Sequence, residues 1–161
     1  MAAETLVLYE SCIVSSLLTH CGTWTKITEE EIKQLDELQN TLCKALLQLP
    51  LSTPKSSLQA AFGLVSMKFR VMEAKVLLVL AIRSQEEGGL AREILEEQLA
   101  MGFPGLGQEV RQICVELGLP DATRMDVHKE QVNEAIQVNS LKELKAEMTG
   151  KIKLKELARC D

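Results

Sequence analysis

The chain has 161 residues, of which 46% are hydrophobic and 3% aromatic, and its formal net charge at pH 7 is −5. This apolar fraction is typical of globular proteins and excludes a disordered chain, and the length fits one domain or two small helical subdomains. The acidic balance argues against an autonomous nucleic-acid-binding domain, because such domains are usually basic, although a local basic face within a larger protein remains compatible with it.

Two helices are predicted in the first 50 residues, over residues 4–18 and 29–49. The second has the clearer signal, because Thr28 and Glu31 have the spacing of a capping box and Pro50 stops the helix. Between these signals, apolar residues recur at spacings of three and four, which puts one apolar stripe along some five turns. The stripe consists of Ile32, Leu35, Leu38, Leu42, Leu46 and Leu49.

Two further helices are predicted before residue 88. Thr53-Pro54 restarts a short helix that ends near Phe62, and Gly63 supplies the turn. The next helix covers 66–85 and is apolar on nearly all sides over 71–82, so it is expected to be central and covered by its neighbours. The pair Gly88-Gly89 then breaks the chain, which predicts a boundary between subdomains over 1–87 and 88–161.

The second half predicts shorter helices over 90–101 and 107–117. Asp121 or Asp126 is expected to cap a helix that runs to about residue 138. Ser140 and Glu143 form a second capping box, from which a final helix runs past Met148. Because no alternating strand pattern of useful length occurs, the predicted fold class is all-α, an irregular multi-helix bundle of about seven or eight helices.

Neither a membrane segment nor a secretory signal is predicted. The most apolar run, residues 76–82, is far shorter than the roughly 20 residues that span a bilayer, and Glu4 lies where a signal peptide needs positive charge. The cysteines are scattered without paired short spacings, which favours reduced thiols in an intracellular, nuclear or cytoplasmic protein over a zinc site. They are Cys12, Cys21, Cys43, Cys114 and Cys160.

No catalytic residue, metal ligand or cofactor site is predicted. The two histidines, His20 and His128, have no acidic partner that the sequence can justify, so Ser/His/Asp chemistry has no support. The glycine-rich stretch over 102–107 follows no strand and precedes no Lys-Ser/Thr, so a helix–helix turn is the better interpretation than a phosphate loop.

Two basic clusters remain. The first comprises Lys68, Arg70 and Lys75 near the start of the central helix, with Lys55 shortly before, and fits either phosphate contact or an ordinary solvated helix end. The second lies in the tail and is interleaved with acids, which is typical of a solvated helix face with i,i+4 ion pairs. It consists of Lys142, Lys145, Lys151, Lys153, Lys155 and Arg159.

An ordered series of motifs runs from residue 17 to residue 64. It begins with LLTHCGTW over 17–24, continues with LDELQNTLCKALLQLPLSTP over 35–54 and closes with Gly63-Leu64. This series resembles the segment after the palm in reverse transcriptases of non-LTR (LINE-type) retrotransposons. In that family the segment is the helical thumb and the connection beyond it, which cradle the template–primer duplex.

The resemblance implies that residues 1–87 are a thumb-like subdomain and that the chain is a non-catalytic C-terminal fragment that positions an RNA/DNA duplex by backbone contacts. Lys44 stands where the family has arginine. No Tyr-x-Asp-Asp strand occurs, so the fragment is not expected to be an enzyme, since polymerisation needs carboxylates that hold two metal ions; a full-length parent would be an RNA-directed DNA polymerase. The implied duplex contacts are Lys44, Lys55, Lys68, Arg70 and Lys75.

The alternative hypothesis is a helical protein–protein interaction module of the same ancestry without a nucleic-acid role. Its partner would be another protein or a second copy of the chain. The acidic net charge favours this alternative, and so does the low density of basic residues after residue 64. The ordered motifs instead favour the retroelement ancestry that the first hypothesis assumes.

Overall fold

The computed structural model describes residues 4, 7, 9–24 and 26–157, and it describes the side chains of these residues except 10, 13 and 151–157. Within this part the chain forms seven α-helices and no β-strand, which confirms the predicted all-α class. A π-helical turn over Tyr9–Val14 leads into the first helix, and a 3-10 turn over Cys21–Thr23 follows it. The helices are α1 (Ser15–Leu17), α2 (Glu29–Leu46), α3 (Lys55–Phe62), α4 (Met67–Arg83), α5 (Leu90–Met101), α6 (Leu106–Leu117) and α7 (Lys129–Leu157).

The predicted capping box at the start of α2 is confirmed. The Glu31 N–H donates to Thr28 Oγ1 at 3.2 Å, and the Thr28 N–H donates to Glu31 Oε2 at 2.7 Å. The hydrogen bonds from the backbone and side chain of Thr28 hold the pKa of Glu31 below its ordinary value of 4.5. At the other end α2 stops at Leu46, three residues before the predicted end, because Gln48 adopts a left-handed conformation with a φ of 52°.

Helix α4 is central, as its apolar composition predicts. It packs against α2, α5, α6, α7 and the 3-10 turn. Its buried side chains include Phe69, Val76 and Val79, which join residues of α5, α6 and α7 in the larger of two core clusters. A helix that is covered on several sides needs apolar residues around its circumference, which explains the composition of residues 71–82.

Two ion pairs fix the direction of α6 relative to α4. Lys68 Nζ lies 2.6 Å from Glu116 Oε1, and Lys75 Nζ lies 2.5 Å from Glu109 Oε2. Lys75 follows Lys68 by seven residues on α4, whereas its partner Glu109 precedes Glu116 by seven residues on α6. The two helices therefore run antiparallel. We call these two pairs the α4–α6 ion-pair ladder.

The predicted break near residue 139 is wrong, because α7 continues from Lys129 to Leu157. No glycine or proline interrupts the helix there, and the Asn139 side chain stays inside the helical pattern by donating to the Ala135 and Leu117 carbonyls at 2.9 and 3.2 Å. Ser140 therefore does not begin a helix.

Neither aspartate predicted to cap this helix does so. Asp121 accepts hydrogen bonds from the N–H and Oγ1 of Thr123, at 2.9 and 2.6 Å, and thereby closes a local turn. Asp126 lies 3.5 Å from Arg83 and remains largely exposed. The helix begins only at Lys129, where the Gln131 side chain accepts from the His128 N–H at 2.9 Å.

Among the residues that the structure describes, most buried apolar side chains fall into two clusters. The smaller one contains Tyr9, Val14, Cys43, Leu58 and Leu64. The larger one combines side chains from residues 65–79 with side chains from residues 95–136, so it spans the Gly88-Gly89 break. The subdomain boundary at that break stays a prediction.

None of the described helices combines the length and the apolar character that a membrane crossing requires.

Candidate interaction surface

The side of α2 that faces the protein is polar, whereas its apolar stripe is only partly covered. Asp36, Gln39, Asn40 and Cys43 are buried, and Leu38 and Leu46 are each 42% exposed. At roughly 100° per residue, the centre of the buried set lies about a quarter of a turn from the centre of the leucine stripe. The stripe predicted from the sequence is therefore displayed at the edge of the α2 contact with the core.

Asp36 holds α2 in this orientation. Its carboxylate accepts hydrogen bonds from Lys55 Nζ at 2.8 Å, from Ser66 Oγ at 3.1 Å and from the Met67 N–H at 2.8 Å. The Met67 N–H belongs to the first turn of α4 and has no acceptor within that helix, so Asp36 caps α4 from a different helix. Gln39 adds a hydrogen bond from Nε2 to the Val65 carbonyl at 3.2 Å.

An open cavity of about 580 Å³ lies beside Leu35 and Leu38 of this stripe. Trp24, Ile27, Leu35 and Leu38 provide its apolar walls, and Lys26, Glu31 and Gln34 complete the lining. Apolar walls with a few polar groups at the rim are typical of surfaces that accept an apolar partner.

A second cavity of about 440 Å³ lies next to the first, and Ile27 lines both. Ile32, Val71, Met72 and Ile113 provide its apolar lining, and both pairs of the α4–α6 ion-pair ladder lie in its wall. We call the two cavities together the α2 groove.

The 3-10 turn before Trp24 sets the position of the first cavity. Gly22 lies against α4 so closely that a Cβ added there would be 2.9 Å from the Ala74 carbonyl oxygen. The Trp24 N–H then donates to the Cys21 carbonyl at 3.1 Å. Glycine at position 22 thus allows the close contact with α4 that places Trp24 at the groove.

Two of the five predicted duplex contacts bind acceptors near α2. Lys44 Nζ donates to the Leu51 carbonyl at 2.7 Å, beyond the C-terminal end of α2. Lys55 Nζ is bound to Asp36, as described above. Both ammonium groups therefore stabilise loops and helix ends of their own chain.

The other three predicted contacts lie on α4. Lys68 pairs with Glu116 and lies 3.9 Å from Glu143, and Lys75 is 5% exposed and paired with Glu109. Burial lowers the pKa of Lys68, but the hydrogen bond that Lys68 donates to Glu116 and the charges of Glu116 and Glu143 outweigh burial and raise this pKa.

Arg70 lines a different cavity, with Glu73 and Asn133. The structure thus brings only Lys68 and Lys75 of the five predicted cations to one cavity, and each of these two faces a carboxylate.

Among the described residues, no group of three or more His, Cys, Asp and Glu side chains is arranged to hold a metal ion. Cys12 is exposed, and Cys21, Cys43 and Cys114 are buried thiols. Burial raises the pKa of Cys21 and of Cys114 above the ordinary value, which keeps both thiols protonated at neutral pH. Of the tail cations, Lys142 and Lys145 have described side chains, whereas Lys151, Lys153, Lys155, Arg159 and also Cys160 lie outside the described side chains.

The fold and this surface define an all-α protein with an apolar groove beside a leucine-bearing helix. The chain matches no protein-family model, and neither a curated protein nor a solved structure is significantly similar to it. The resemblance to the thumb of non-LTR reverse transcriptases therefore stays a prediction.

Proposed function

We propose that the protein is a helical protein–protein interaction module without a catalytic role of its own. Its α2 groove binds the apolar side of an amphipathic helix of a partner chain. Binding takes place inside the cell, in the nucleus or cytoplasm. The observation that carries this proposal is the display of Leu35 and Leu38 beside Trp24 and Ile27. The polar contacts of Asp36 hold α2 with these leucines turned outward, so the groove is built into the native packing.

The chemistry of the groove favours a helical partner. Amphipathic helices bind such surfaces through apolar side chains at i, i+3 or i+4, and i+7. The largest anchor on this side, Trp24, is a residue type that is enriched at protein interfaces. The rim carries both a cation, Lys26, and an anion, Glu29. The groove therefore selects its partner less by the charge of the partner helix than by the spacing of that helix's apolar residues.

The test uses Trp24 as a reporter, because it is the single tryptophan of the chain. A library of amphipathic helical peptides without tryptophan, with leucines at i, i+3, i+4 and i+7, is titrated into the full chain while Trp24 emission is recorded. We expect some members to shift the emission in a saturable way. Leu38→Lys should abolish the shift, because it places a charge in the apolar wall.

Val115→Lys is the matched control. Val115 is 82% exposed and lies on α6 outside both cavities of the α2 groove, so this variant should bind the same peptides as the natural chain does. Peptide binding that survives Leu38→Lys, or a library without any saturable shift, would contradict the proposal.

The duplex-positioning function implied by the resemblance has less support, because Lys44, Lys55, Lys68 and Lys75 are engaged by acceptors of the chain itself. Electrophoretic mobility shift with an RNA–DNA hybrid, titrated against salt, tests it directly. Phosphate contacts make affinity fall steeply with salt, so a salt-dependent shift would revive this hypothesis, and its absence at low salt would end it.

A further inference from the structure

The second cavity of the α2 groove is lined by matching faces of α4 and α6. On α4 the lining residues have the spacing i, i+3, i+4 and i+7, and they are Lys68, Val71, Met72 and Lys75. On α6 the lining residues have the same spacing, and they are Glu109, Gln112, Ile113 and Glu116. The first and last residue of each set form the α4–α6 ion-pair ladder. The cavity therefore has a mostly apolar middle with a charged pair at each end.

In each pair of the ladder the carboxylate is more exposed than the ammonium. The side chain of Lys75 is 6% exposed and that of Glu109 is 27% exposed, and the values for Lys68 and Glu116 are 38% and 49%. Each carboxylate accepts a hydrogen bond from the lysine of its pair, and among the described residues no donor binds its second oxygen. Since an ionised carboxylate offers about four acceptor sites, a molecule in this cavity meets acceptors that the chain itself does not fill.

The two ends of the cavity differ in charge. At one end a single carboxylate faces Lys75. At the other end Glu116 binds Lys68, Glu143 lies 3.9 Å from Lys68, and the charge of Glu29 also acts on Lys68. Three carboxylates thus act on one ammonium there. We call Glu29 and Glu116, which both line the cavity, its acidic end.

We propose that the acidic end binds a cationic side chain, lysine or arginine, of the partner helix in the α2 groove. This inference rests on the proposed function and names the polar group that the partner carries. The aliphatic stem of such a side chain packs on Val71, Met72 and Ile113, while its charged head reaches the acidic end. A glutamate or aspartate of the partner is disfavoured in the same place, because like charges would then oppose across the contact.

A cation at one end of the groove fixes the direction in which the partner helix lies. The lining of the first cavity contains one cation, Lys26, and one anion, Glu31, so it does not distinguish the charge of a partner in this way. The spacing of apolar residues still provides most of the binding. The acidic end adds the register and the direction, because only one orientation brings the cation to it.

The test measures the affinity of helical peptides for the full chain by fluorescence anisotropy of a dye on the peptide. Every peptide has leucines at i, i+3, i+4 and i+7, and a single arginine, glutamine or glutamate is moved through the positions within two turns of them. At one position, or at positions one turn apart, we expect arginine to bind about fivefold more tightly than glutamine, and glutamate about fivefold more weakly. The difference should shrink as salt rises.

Variants of the chain assign the preference to the acidic end. Glu29→Gln/Glu116→Gln should remove the difference between the arginine and glutamine peptides. Glu30→Gln/Glu37→Gln is the matched control, because it removes the same number of charges from exposed side chains that line neither cavity. It should keep the preference for arginine, and far-UV circular dichroism of both variants checks their fold.

The outcomes separate this inference from the proposed function. Equal affinities of the three peptides, or a preference for arginine that survives Glu29→Gln/Glu116→Gln, would overturn the inference and leave the binding of apolar helices in place. A library in which no peptide binds would overturn both.

Discussion

The carboxylate of Asp36 accepts hydrogen bonds from residues 19, 30 and 31 positions further along the chain. These donors come from the start of α3, from the turn before α4 and from the first N–H of α4. One side chain thus connects three helices and sets the rotation of α2 about its own axis. The orientation of the α2 groove depends on this contact.

We predict that Asp36→Asn lowers the free energy of unfolding by about 2–3 kcal/mol, because the amide offers fewer acceptor sites to three donors and loses the charge that Lys55 faces. Urea denaturation measures the change. Asp126→Asn is the matched control, since its side chain is 96% exposed, and it should leave stability unchanged within error. Equal stability of the two variants would show that Asp36 does not hold α2.

Gly22 is the second residue on which the groove depends. We predict that Gly22→Ala destabilises the protein by about 1–3 kcal/mol, because the new Cβ meets backbone of α4 that cannot rotate away. Gly150→Ala is the control. It lies in α7 with no atom within 4 Å of a Cβ, so alanine should raise stability by about 0.5–1 kcal/mol through its better helix propensity. Thermal unfolding of both variants distinguishes them by sign.

At the scale of the elements, the α4–α6 ion-pair ladder contains one buried and one exposed pair. Lys75 is buried, whereas the side chains of Lys68 and Glu116 are 38% and 49% exposed. We predict that Glu109→Gln costs about 2–4 kcal/mol, because it leaves a buried ammonium without its carboxylate. Glu116→Gln should cost less than about 1 kcal/mol, since the exposed pair is screened by solvent and Glu143 remains nearby. Similar costs in urea denaturation would contradict this ordering.

The elements also show which local signals were sufficient. The capping box of α2 and the Gly63 and Gly102 turns were predictable, because their partners lie within a few residues of one another. The false break in α7 arose because Ser140 and Glu143 have capping-box spacing although nothing interrupts the helix before them. The pattern of a cap does not show whether the backbone before it is already helical, and here Asn139 bonds within the helix.

At the scale of the whole molecule, the larger core cluster unites α4 with α5, α6 and α7 across Gly88-Gly89. We predict that the protein unfolds in one cooperative transition. Trp24 fluorescence reports on the first half, and far-UV circular dichroism reports on all helices, so the two urea transitions should coincide. Separate transitions would instead support independent subdomains over 1–87 and 88–161.

The sequence by itself determined the all-α class, most helix boundaries and the central place of α4, because helix periodicity, caps and glycine turns act over one or two turns of chain. Only the tertiary structure decided which side of α2 faces the core. The leucine spacing shows that a stripe exists, but Lys55, Ser66 and the Met67 N–H converge on Asp36 only after the chain has folded, and they turn the polar side inward.

The same holds for the predicted cations. Their number and spacing were visible in the sequence, but Glu109 and Glu116, the partners of Lys75 and Lys68, lie 34 and 48 residues away from them and become neighbours only when α6 packs antiparallel to α4. Tertiary packing thus gives Lys68 and Lys75 carboxylate partners from the chain itself, and it leaves an apolar groove on the surface.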